Sequence, residues 1–289
     1  SGGATRWLNL GFMQLQVADA TKICMIVFMG WYVNYYWKEL EKFRYTLYLW
    51  GAVGLQAVLI LGISSNLSSC LILLLMVFVL TFIVGKHPKI HMIIAAAGIV
   101  LVVIFIMWLK ANMPLESEMD KYPYQIRRFF GWLDPERYAG TLGYQPLQSL
   151  YAIGSGGLLG KGLGNGTQKL SNIPEAQNDM IFALICEQLG LIGVIIMFLM
   201  FGYLLYQMVI VVKESRNIYA SVVVIGVILH IIFQIIVNVC VAVNFFPNTG
   251  VSLPFISAGG SAIICTLMEI GLVIGIRRQQ VNRKYSKIS

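Results

Sequence analysis

Charged residues are scarce in this sequence. Asp, Glu, Lys and Arg together make up 12% of the 289 residues, hydrophobic residues make up 58%, and the mean hydropathy is +0.75. Soluble domains carry about twice that share of charge. The composition therefore excludes an ordinary soluble domain and indicates an integral membrane protein. The apolar runs also lack the alternation of a membrane barrel, which leaves transmembrane helices.

Metal and nucleotide motifs are lacking as well. The five cysteines have no CxxC spacing and lie within apolar runs, so they indicate neither a disulfide framework nor a zinc site. The glycine-rich stretch has no GKS or GKT, which excludes a P-loop. The net charge of +8 comes largely from basic residues in short links between apolar runs, where they set membrane topology. We therefore expect membrane lipids, and no nucleic acid, as partners.

Seven apolar runs are long enough to cross about 30 Å of hydrocarbon as helices. We predict an all-α fold, a polytopic membrane helix bundle of about seven transmembrane helices, as a single domain at 1–289 with a large extracytoplasmic loop at 110–179. The basic links 38–44, 86–89 and 213–217 and the C-terminus should be cytoplasmic. The seven runs are Ala18–Trp37, Tyr45–Ile63, Leu67–Gly85, Ile90–Leu109, Met180–Val212, Tyr219–Val243 and Gly259–Ile276.

Polar residues inside the apolar runs are candidates for buried roles. Lys22 stands just inside the first run, where it either extends toward the interface or has a function. Glu187 lies in the fifth run, where an acid needs a partner. His230, Gln234 and Asn238 recur every four residues. They should form one stripe facing the bundle interior, with interhelical hydrogen bonding as the simplest role.

The large loop gathers most of the remaining polar residues. Its first part, 110–123, has acidic residues, two prolines and no periodicity, which predicts a solvated loop. The proline-rich loop 244–257 reaches toward it and should help to wall a site. Arg127 and Arg128 stand beside aromatic residues, a pattern typical of either an interfacial anchor or a phosphate-binding pair. The glycines between residues 154 and 166, together with Lys161 and Lys169, are typical of an anion cradle. Re-entrant membrane loops also use glycine for packing, so both interpretations stay open.

Asp179 comes immediately before the longest apolar run. An acid in this position is typical of a helix N-cap, which is the structural alternative to a catalytic role. The run from Met180 to Val212 would be about 50 Å long as a helix, too long for one straight span. We therefore expect it to project outward or to bend near Gly190 and Gly193. Asp179 would then lie at the outer membrane surface, facing the cationic loop.

Two long segments carry a resemblance to the SEDS family (shape, elongation, division and sporulation), the proteins of RodA and FtsW type. They read GYQPLQSLYAIGSGGLLGKGLGNGTQKLSNIPEAQNDMIFALICEQLG and FPNTGVSLPFISAGGS. The resemblance implies an all-helical fold in the bacterial cytoplasmic membrane and a peptidoglycan glycosyltransferase acting on lipid II. It also implies a class B penicillin-binding protein as partner. The family has about three more spans, so the resemblance implies that N-terminal helices are missing here.

Carried onto this sequence, the resemblance implies that Asp179 is the essential acid of a PEAHTD-type motif. Gln234 and Asn238 match a later family segment. Two departures stand out, because Gln177 and Asn178 replace His-Thr before the acid, and the stretch 65–69 replaces PDLGT and so lacks its carboxylate. With Lys161 from the glycine-rich stretch added, the predicted substrate-binding residues are Arg127, Arg128, Lys161, Gln168, Lys169, Glu175 and Ser257.

Glycan polymerisation from a lipid-linked pyrophosphate needs a base near the acceptor hydroxyl and positive charge near the leaving group. We expect Asp179 to be the base, and Arg127, Arg128, Lys161 and Lys169 to share the positive charge. A divalent cation, Mg²⁺ or Mn²⁺, is an optional assistant, since no ligand cluster is visible. Two alternatives are a flippase for lipid-linked precursors, which the polar stripe and buried Glu187 favour, and a non-catalytic scaffold for a transpeptidase.

Overall fold

The computed structural model describes residues 7–9, 14–64, 66–165 and 178–285. Within this part of the chain the regular structure is almost entirely helical, which confirms the predicted fold class. The one addition is a short antiparallel hairpin of β1 (Trp7–Asn9) and β2 (Gln14–Gln16). The helices are α1 (Val17–Tyr35), α2 (Phe43–Ser64), α3 (Leu67–Val84), α4 (Pro88–Ala111), α5 (Tyr124–Leu133), α6 (Tyr144–Gly156), α7 (Ile181–Glu214), α8 (Ile218–Ala242) and α9 (Gly260–Tyr285).

Six helices of the described residues are long and apolar enough to cross a membrane, namely α2, α3, α4, α7, α8 and α9. The chain is thus a multi-pass membrane protein. The first predicted run does form a helix, α1, but it is not among the six. Asp19 and Lys22 lie in its first two turns and lower its hydropathy.

The chain divides into two compact units, and the large loop lies in the second. Helices α7 and α8 each contribute residues to both units. The first unit draws on Ser1–Pro88, Leu199–Gln234 and Ala258–Ser289. The second unit consists of Lys89–Phe198 and Ile235–Ser257.

Two buried polar pairs lie in the first unit. Lys22 is buried and its Nζ lies 2.8 Å from Asp19 Oδ1, so the lysine is paired inside the unit and does not extend toward solvent. His230 Nδ1 lies 2.7 Å from Glu269 Oε1, which joins α8 to α9. His230 therefore makes the interhelical bond that the polar stripe predicts.

Two exposed ion pairs in the first unit join the segments that are predicted to be cytoplasmic. Lys86 pairs with Glu41, which connects the links 86–89 and 38–44. Arg277 pairs with Glu214, which connects the C-terminal part of α9 with the end of α7. Each pair brings together two segments that the positive-inside rule places on one side of the membrane.

The first part of the large loop has a small apolar core of its own. The sequence predicts a solvated loop here, yet Glu116–Lys121 forms a short 3-10 helix. Tyr138 donates a hydrogen bond from its hydroxyl to the Pro114 carbonyl oxygen at 2.7 Å, and burial raises the pKa of its phenol. The fully enclosed members of this core are Leu109, Met119, Phe130 and Tyr138. The core holds α5 against the loop and so fixes the position of the arginine pair.

Candidate functional site

Asp179 lies in a turn directly before α7, which begins at Ile181. The predicted helix start is thus one or two residues early. The main chain at this turn is fixed by Asn238 of α8, whose Nδ2 donates to the Asp179 carbonyl oxygen at 2.9 Å and to the Val251 carbonyl oxygen at 2.7 Å. Asn238 is 1% exposed, which confirms its predicted interior position. One buried amide therefore connects the candidate catalytic residue to the loop before α9.

Ser257 fixes the same turn from a second direction. Its hydroxyl donates to the Asn178 carbonyl oxygen at 2.7 Å and accepts from the Leu253 main-chain N–H at 2.7 Å. Ser257 is buried, so this predicted substrate-binding residue lies beneath the turn and supports it. Two bonds from one hydroxyl are what a buried serine needs to be satisfied.

The Asp179 side chain lies against Gly250. A Cβ atom built on Gly250 would come within 3.3 Å of Asp179 Oδ2, and the φ angle of Gly250 is +70°. A side chain at position 250 would therefore be strained and would crowd the carboxylate. Glycine at this position lets the main chain pass close to Asp179.

Arg128 contacts the same turn of the loop before α9. Its Nη1 donates to the Asn248 carbonyl oxygen at 3.2 Å. The Asn248 side chain donates to Gln145 Oε1 at 2.6 Å and accepts from the Gly250 main-chain N–H at 3.3 Å. The turn Asn248–Gly250 thus has the guanidinium of Arg128 at its first residue and the carboxylate of Asp179 at its last.

The two arginines of the predicted pair separate in the structure. Arg127 Nη1 lies 2.6 Å from Oδ1 of Asp120, whose side chain is 95% exposed. Arg128 Nη1 instead donates to the main-chain carbonyl oxygen of Asn248, in the turn beside Asp179. Adjacent side chains leave an α-helix about 100° apart, so the two arginines of α5 reach different neighbours.

A reciprocal contact fixes α5 to the end of α8. Trp132 Nε1 donates to the Asn244 carbonyl oxygen at 3.0 Å, and Asn244 Nδ2 donates to the Trp132 carbonyl oxygen at 3.3 Å. Asn244 has a φ of 56°, a conformation that asparagine tolerates better than most residues. These two bonds hold the arginine helix against the loop before α9.

The glycine-rich stretch pairs its main chain with α7. We call Gly156–Gly164 the glycine segment. Lys161 N donates to the Glu187 carbonyl oxygen at 2.9 Å, and Leu191 N donates back to the Gly157 carbonyl oxygen at 3.0 Å. The exchange is possible because Gly190 is non-helical, with a φ of 63°, which confirms the predicted bend. A Cβ at Gly190 would lie 2.3 Å from Gly160 N, so no larger residue fits there.

Lys161 and Glu187 form an ion pair inside this paired region. Lys161 Nζ lies 3.1 Å from Glu187 Oε1, and the side-chain exposures are 32% and 0%. The partner that the buried acid was expected to need is therefore Lys161. A lysine predicted to bind substrate therefore already pairs with a carboxylate of its own chain.

The other predicted residues lie elsewhere. Gln234 is buried in the first unit, as the polar stripe predicts. Gln168, Lys169 and Glu175 lie outside the described residues. The described residues contain no group of three or more His, Cys, Asp and Glu side chains that could hold a metal ion.

The contacts that sequence reasoning missed are on the loop before α9 and on its neighbours. The sequence predicts that this proline-rich loop walls a site, but not that Asn248 contacts Arg128 or that Gly250 lies against Asp179. The Asn-Thr-Gly stretch is a turn signal that was available in the sequence. Its partner Gln145 lies 103 residues away along the chain, a separation that no local pattern encodes.

Comparison with known proteins finds relatives that match nearly the whole chain. "Stage V sporulation protein E" of Bacillus subtilis is 30% identical over 96% of this chain and 72% of its own length. "Probable peptidoglycan glycosyltransferase FtsW" of Saccharophagus degradans is 33% identical over 98% of this chain and 70% of its own length.

Solved structures share the fold. A chain from work on "structural coordination of polymerization and crosslinking by a peptidoglycan synthase complex" superposes with a TM-score of 0.72, at 26% identity over 97% of this chain and 75% of that chain. The rod shape determining protein RodA of Thermus thermophilus has a TM-score of 0.58 at 23% identity, over 97% of this chain and 71% of that chain. The family model for cell cycle proteins of the FtsW, RodA and SpoVE type matches residues 1–282, and the chain belongs to this family, the SEDS proteins.

Proposed function

We propose that this chain, a peptidoglycan glycosyltransferase, polymerises lipid II at the outer face of the cytoplasmic membrane with Asp179 as the general base. One observation carries the proposal. The turn Asn248–Gly250 meets the carboxylate of Asp179 at one end and the guanidinium of Arg128 at the other. A base and a cation that contact the same three-residue turn suit a reaction that removes a proton and releases a pyrophosphate.

The chemistry assigns each group a step. Asp179 accepts the proton of the GlcNAc 4-hydroxyl of one lipid II, and the oxygen attacks the anomeric carbon of the lipid-linked glycan. The bond between that carbon and the pyrophosphate oxygen breaks, so the configuration inverts and the lipid pyrophosphate leaves. Arg128 stabilises the charge that develops on the leaving group. Asp179 then holds one proton, which it returns to solvent.

The remaining residues of the predicted set have supporting roles in this proposal. Asn238 and Ser257 keep the main chain of the Asp179 turn in place. Arg127, Lys161, Gln168, Lys169 and Glu175 stay predicted substrate contacts. A divalent cation would be held largely by the pyrophosphate oxygens, because the described residues offer no ligand cluster of their own.

The proposal includes an orientation and a partner. The C-terminus would be cytoplasmic, which the exposed ion pairs support, since each joins two of the basic segments. The partner would be a class B penicillin-binding protein. The likeness to a chain of a solved peptidoglycan synthase complex supports this partner.

The decisive experiment is polymerisation of purified lipid II in proteoliposomes by wild type and by Asp179→Asn, each alone and with the partner. Loss of the base should lower the rate by about 10²- to 10⁴-fold. Asp120→Asn is the matched control, because it removes another acid of the same loop whose side chain is 95% exposed, and it should retain activity.

Retained polymerisation in Asp179→Asn would disprove the base. Absence of product from folded, partnered wild type would instead favour a flippase or a scaffold. A lipid II scramblase assay on the same proteoliposomes would then separate these two functions.

A further inference from the structure

The glycine segment presents an apolar surface that the proposed reaction does not use. Three of its leucines are 68% to 78% exposed, and they lie within six residues of one another. Single exposed leucines are ordinary, but a contiguous exposed apolar patch marks a contact with another apolar phase. The leucines are Leu158, Leu159 and Leu163.

The depth of this patch follows from α7. Its main chain breaks at Gly190, and the helix beyond the break runs from Leu191 to Val212, the last apolar residue before Lys213. That stretch is about 33 Å long, which matches a hydrocarbon core about 30 Å thick. The break at Gly190 therefore lies near the outer boundary of the hydrocarbon. The glycine segment pairs with residues 187–192, so it lies at the outer boundary of the hydrocarbon.

The patch is also continuous with a surface that faces lipid. Leu191 N donates to the Gly157 carbonyl oxygen, and Ile192 N donates to the Leu158 carbonyl oxygen at 3.2 Å. The side chains of Leu191 and Ile192 are themselves about half exposed on a membrane helix. The leucines of the glycine segment thus widen the lipid-facing surface of α7 at its outer end.

We propose that the glycine segment is a membrane-interface contact, in which Leu158, Leu159 and Leu163 enter the acyl chains of the outer leaflet. Lys161 lies between these leucines and is 32% exposed. An apolar patch with a lysine beside it is the pattern of an interfacial anchor, with the side chain of the lysine at the level of the headgroups. The ion pair with Glu187 fixes the lysine at that level.

This anchor also bears on the reaction, and this part of the inference rests on the proposed function. The pyrophosphate of a lipid-linked substrate lies where its isoprenoid chain leaves the hydrocarbon. A loop held at the same depth by three leucines lies in the plane of that pyrophosphate. The anchor therefore deepens the proposed function by explaining how an outer loop meets a substrate embedded in the membrane.

The test measures where the leucines lie and needs no activity. A ketone-bearing amino acid replaces Leu159 in the full chain, a nitroxide is attached to it, and the protein is reconstituted in phosphatidylglycerol and phosphatidylethanolamine vesicles. Collision rates with molecular oxygen, which concentrates in acyl chains, and with a water-soluble nickel chelate are measured. Position 199 of α7 is the lipid reference, because Leu199 is 67% exposed there, and position 120 is the water reference.

High oxygen and low nickel collision, as at position 199, supports the anchor. High nickel collision, as at position 120, overturns it. Low collision with both reagents shows that protein covers the segment, which also overturns it. None of these outcomes depends on whether the chain polymerises lipid II.

A functional arm then tests the link to the substrate. The double variant Leu159→Asn and Leu163→Asn should raise the KM for lipid II in bilayers by about tenfold and leave kcat within about twofold. Leu115→Asn is the control, since Leu115 is an exposed leucine of the same large loop outside the segment, and it should leave both constants unchanged. If the nitroxide reports lipid but the double variant keeps its KM, the anchor stands and its role toward the substrate is wrong.

Discussion

Asp179 and Glu187 are acids at the start of the same helical region, and the protein treats them in opposite ways. At Asp179 the surrounding groups hold the main chain, through Asn238 and Ser257, and the carboxylate lies along a turn that also meets an arginine. At Glu187 the carboxylate itself is the attachment, buried against Lys161. The turn at Asp179 is thus fixed through main-chain atoms, whereas at Glu187 the carboxylate is itself part of the packing.

The largest effect is expected near Glu187, where Gly190→Ala should disrupt the pairing of the glycine segment with α7. The φ of 63° costs a non-glycine residue about 1–2 kcal/mol, and the new Cβ would lie 2.3 Å from Gly160 N, so the glycine segment must separate from α7. We expect loss of most folded protein, measured by thermal unfolding in detergent. Gly202→Ala in the same helix has open space around it and should be neutral or stabilising. Equal unfolding temperatures for the two variants would contradict the pairing.

On the Asp179 side, Asn238→Asp tests whether the main chain is what matters. The substitution keeps the shape of the side chain but replaces the donor Nδ2 with a carboxylate oxygen. That oxygen would face two carbonyl oxygens, to which it cannot donate. Each buried carbonyl left unsatisfied costs about 1–3 kcal/mol, and we expect polymerisation to fall more than 10²-fold as the Asp179 turn shifts. Asn238→Ser, which can keep one of the bonds, should lose less. Unchanged activity in Asn238→Asp would show that the turn holds its position without the amide.

A smaller effect is expected when Glu187 loses only its charge. Glu187→Gln should lower the free energy of unfolding by about 1–2 kcal/mol, a modest value because Lys161 is about one third exposed. The double variant Glu187→Gln with Lys161→Met removes both charges and should recover part of that loss. A double-mutant cycle from thermal or denaturant unfolding gives the coupling energy. A coupling of zero would mean that the main-chain bonds alone hold the glycine segment.

Variants of the two arginines test which of them stabilises the leaving group in the proposed reaction. Arg128→Ala should lower kcat by about 10²-fold, the typical cost of losing one electrostatic stabiliser of a leaving group. Arg127 pairs with an exposed aspartate and stays a predicted substrate contact, so Arg127→Ala should act on KM and change kcat by less than about threefold. Neither variant should change the unfolding temperature appreciably. Equal losses in both would show that the pair acts together on the substrate.

Much of the fold could be predicted from the sequence, because a long apolar run is a local signal of a membrane span. Apolar length predicts α2, α3 and α4, the stripe of polar residues predicts the interior position of Asn238, and glycine predicts the bend at Gly190. The site was predicted less completely. Asp179 follows from its resemblance to a family motif and from its place before a long helix. The separation of Arg127 from Arg128 depends on which neighbours each side chain meets.

The errors have the same physical origin. The sequence predicts solvated loop before α5, since acidic residues and prolines dominate it, but a few apolar residues are enough to fold it around Tyr138. These residues are spread over 109–138, so the short windows that reveal helices and strands do not contain them together. The turn at Asn248 was missed for this reason too, because its hydrogen-bond partners lie 103 and 120 residues away.

The amide of Asn238 has a consequence for how this protein can vary. Both of its hydrogen bonds are donated by Nδ2, on a side chain of one rigid helix. The spacing between the Asp179 and Val251 carbonyl oxygens is therefore set by this amide and not by the length of either loop. Insertions within the loops would leave that spacing intact. A slip of one residue along α8 would rotate the amide by about 100° and break both hydrogen bonds at once. The position of the proposed base is thus insensitive to loop length and sensitive to the register of α8.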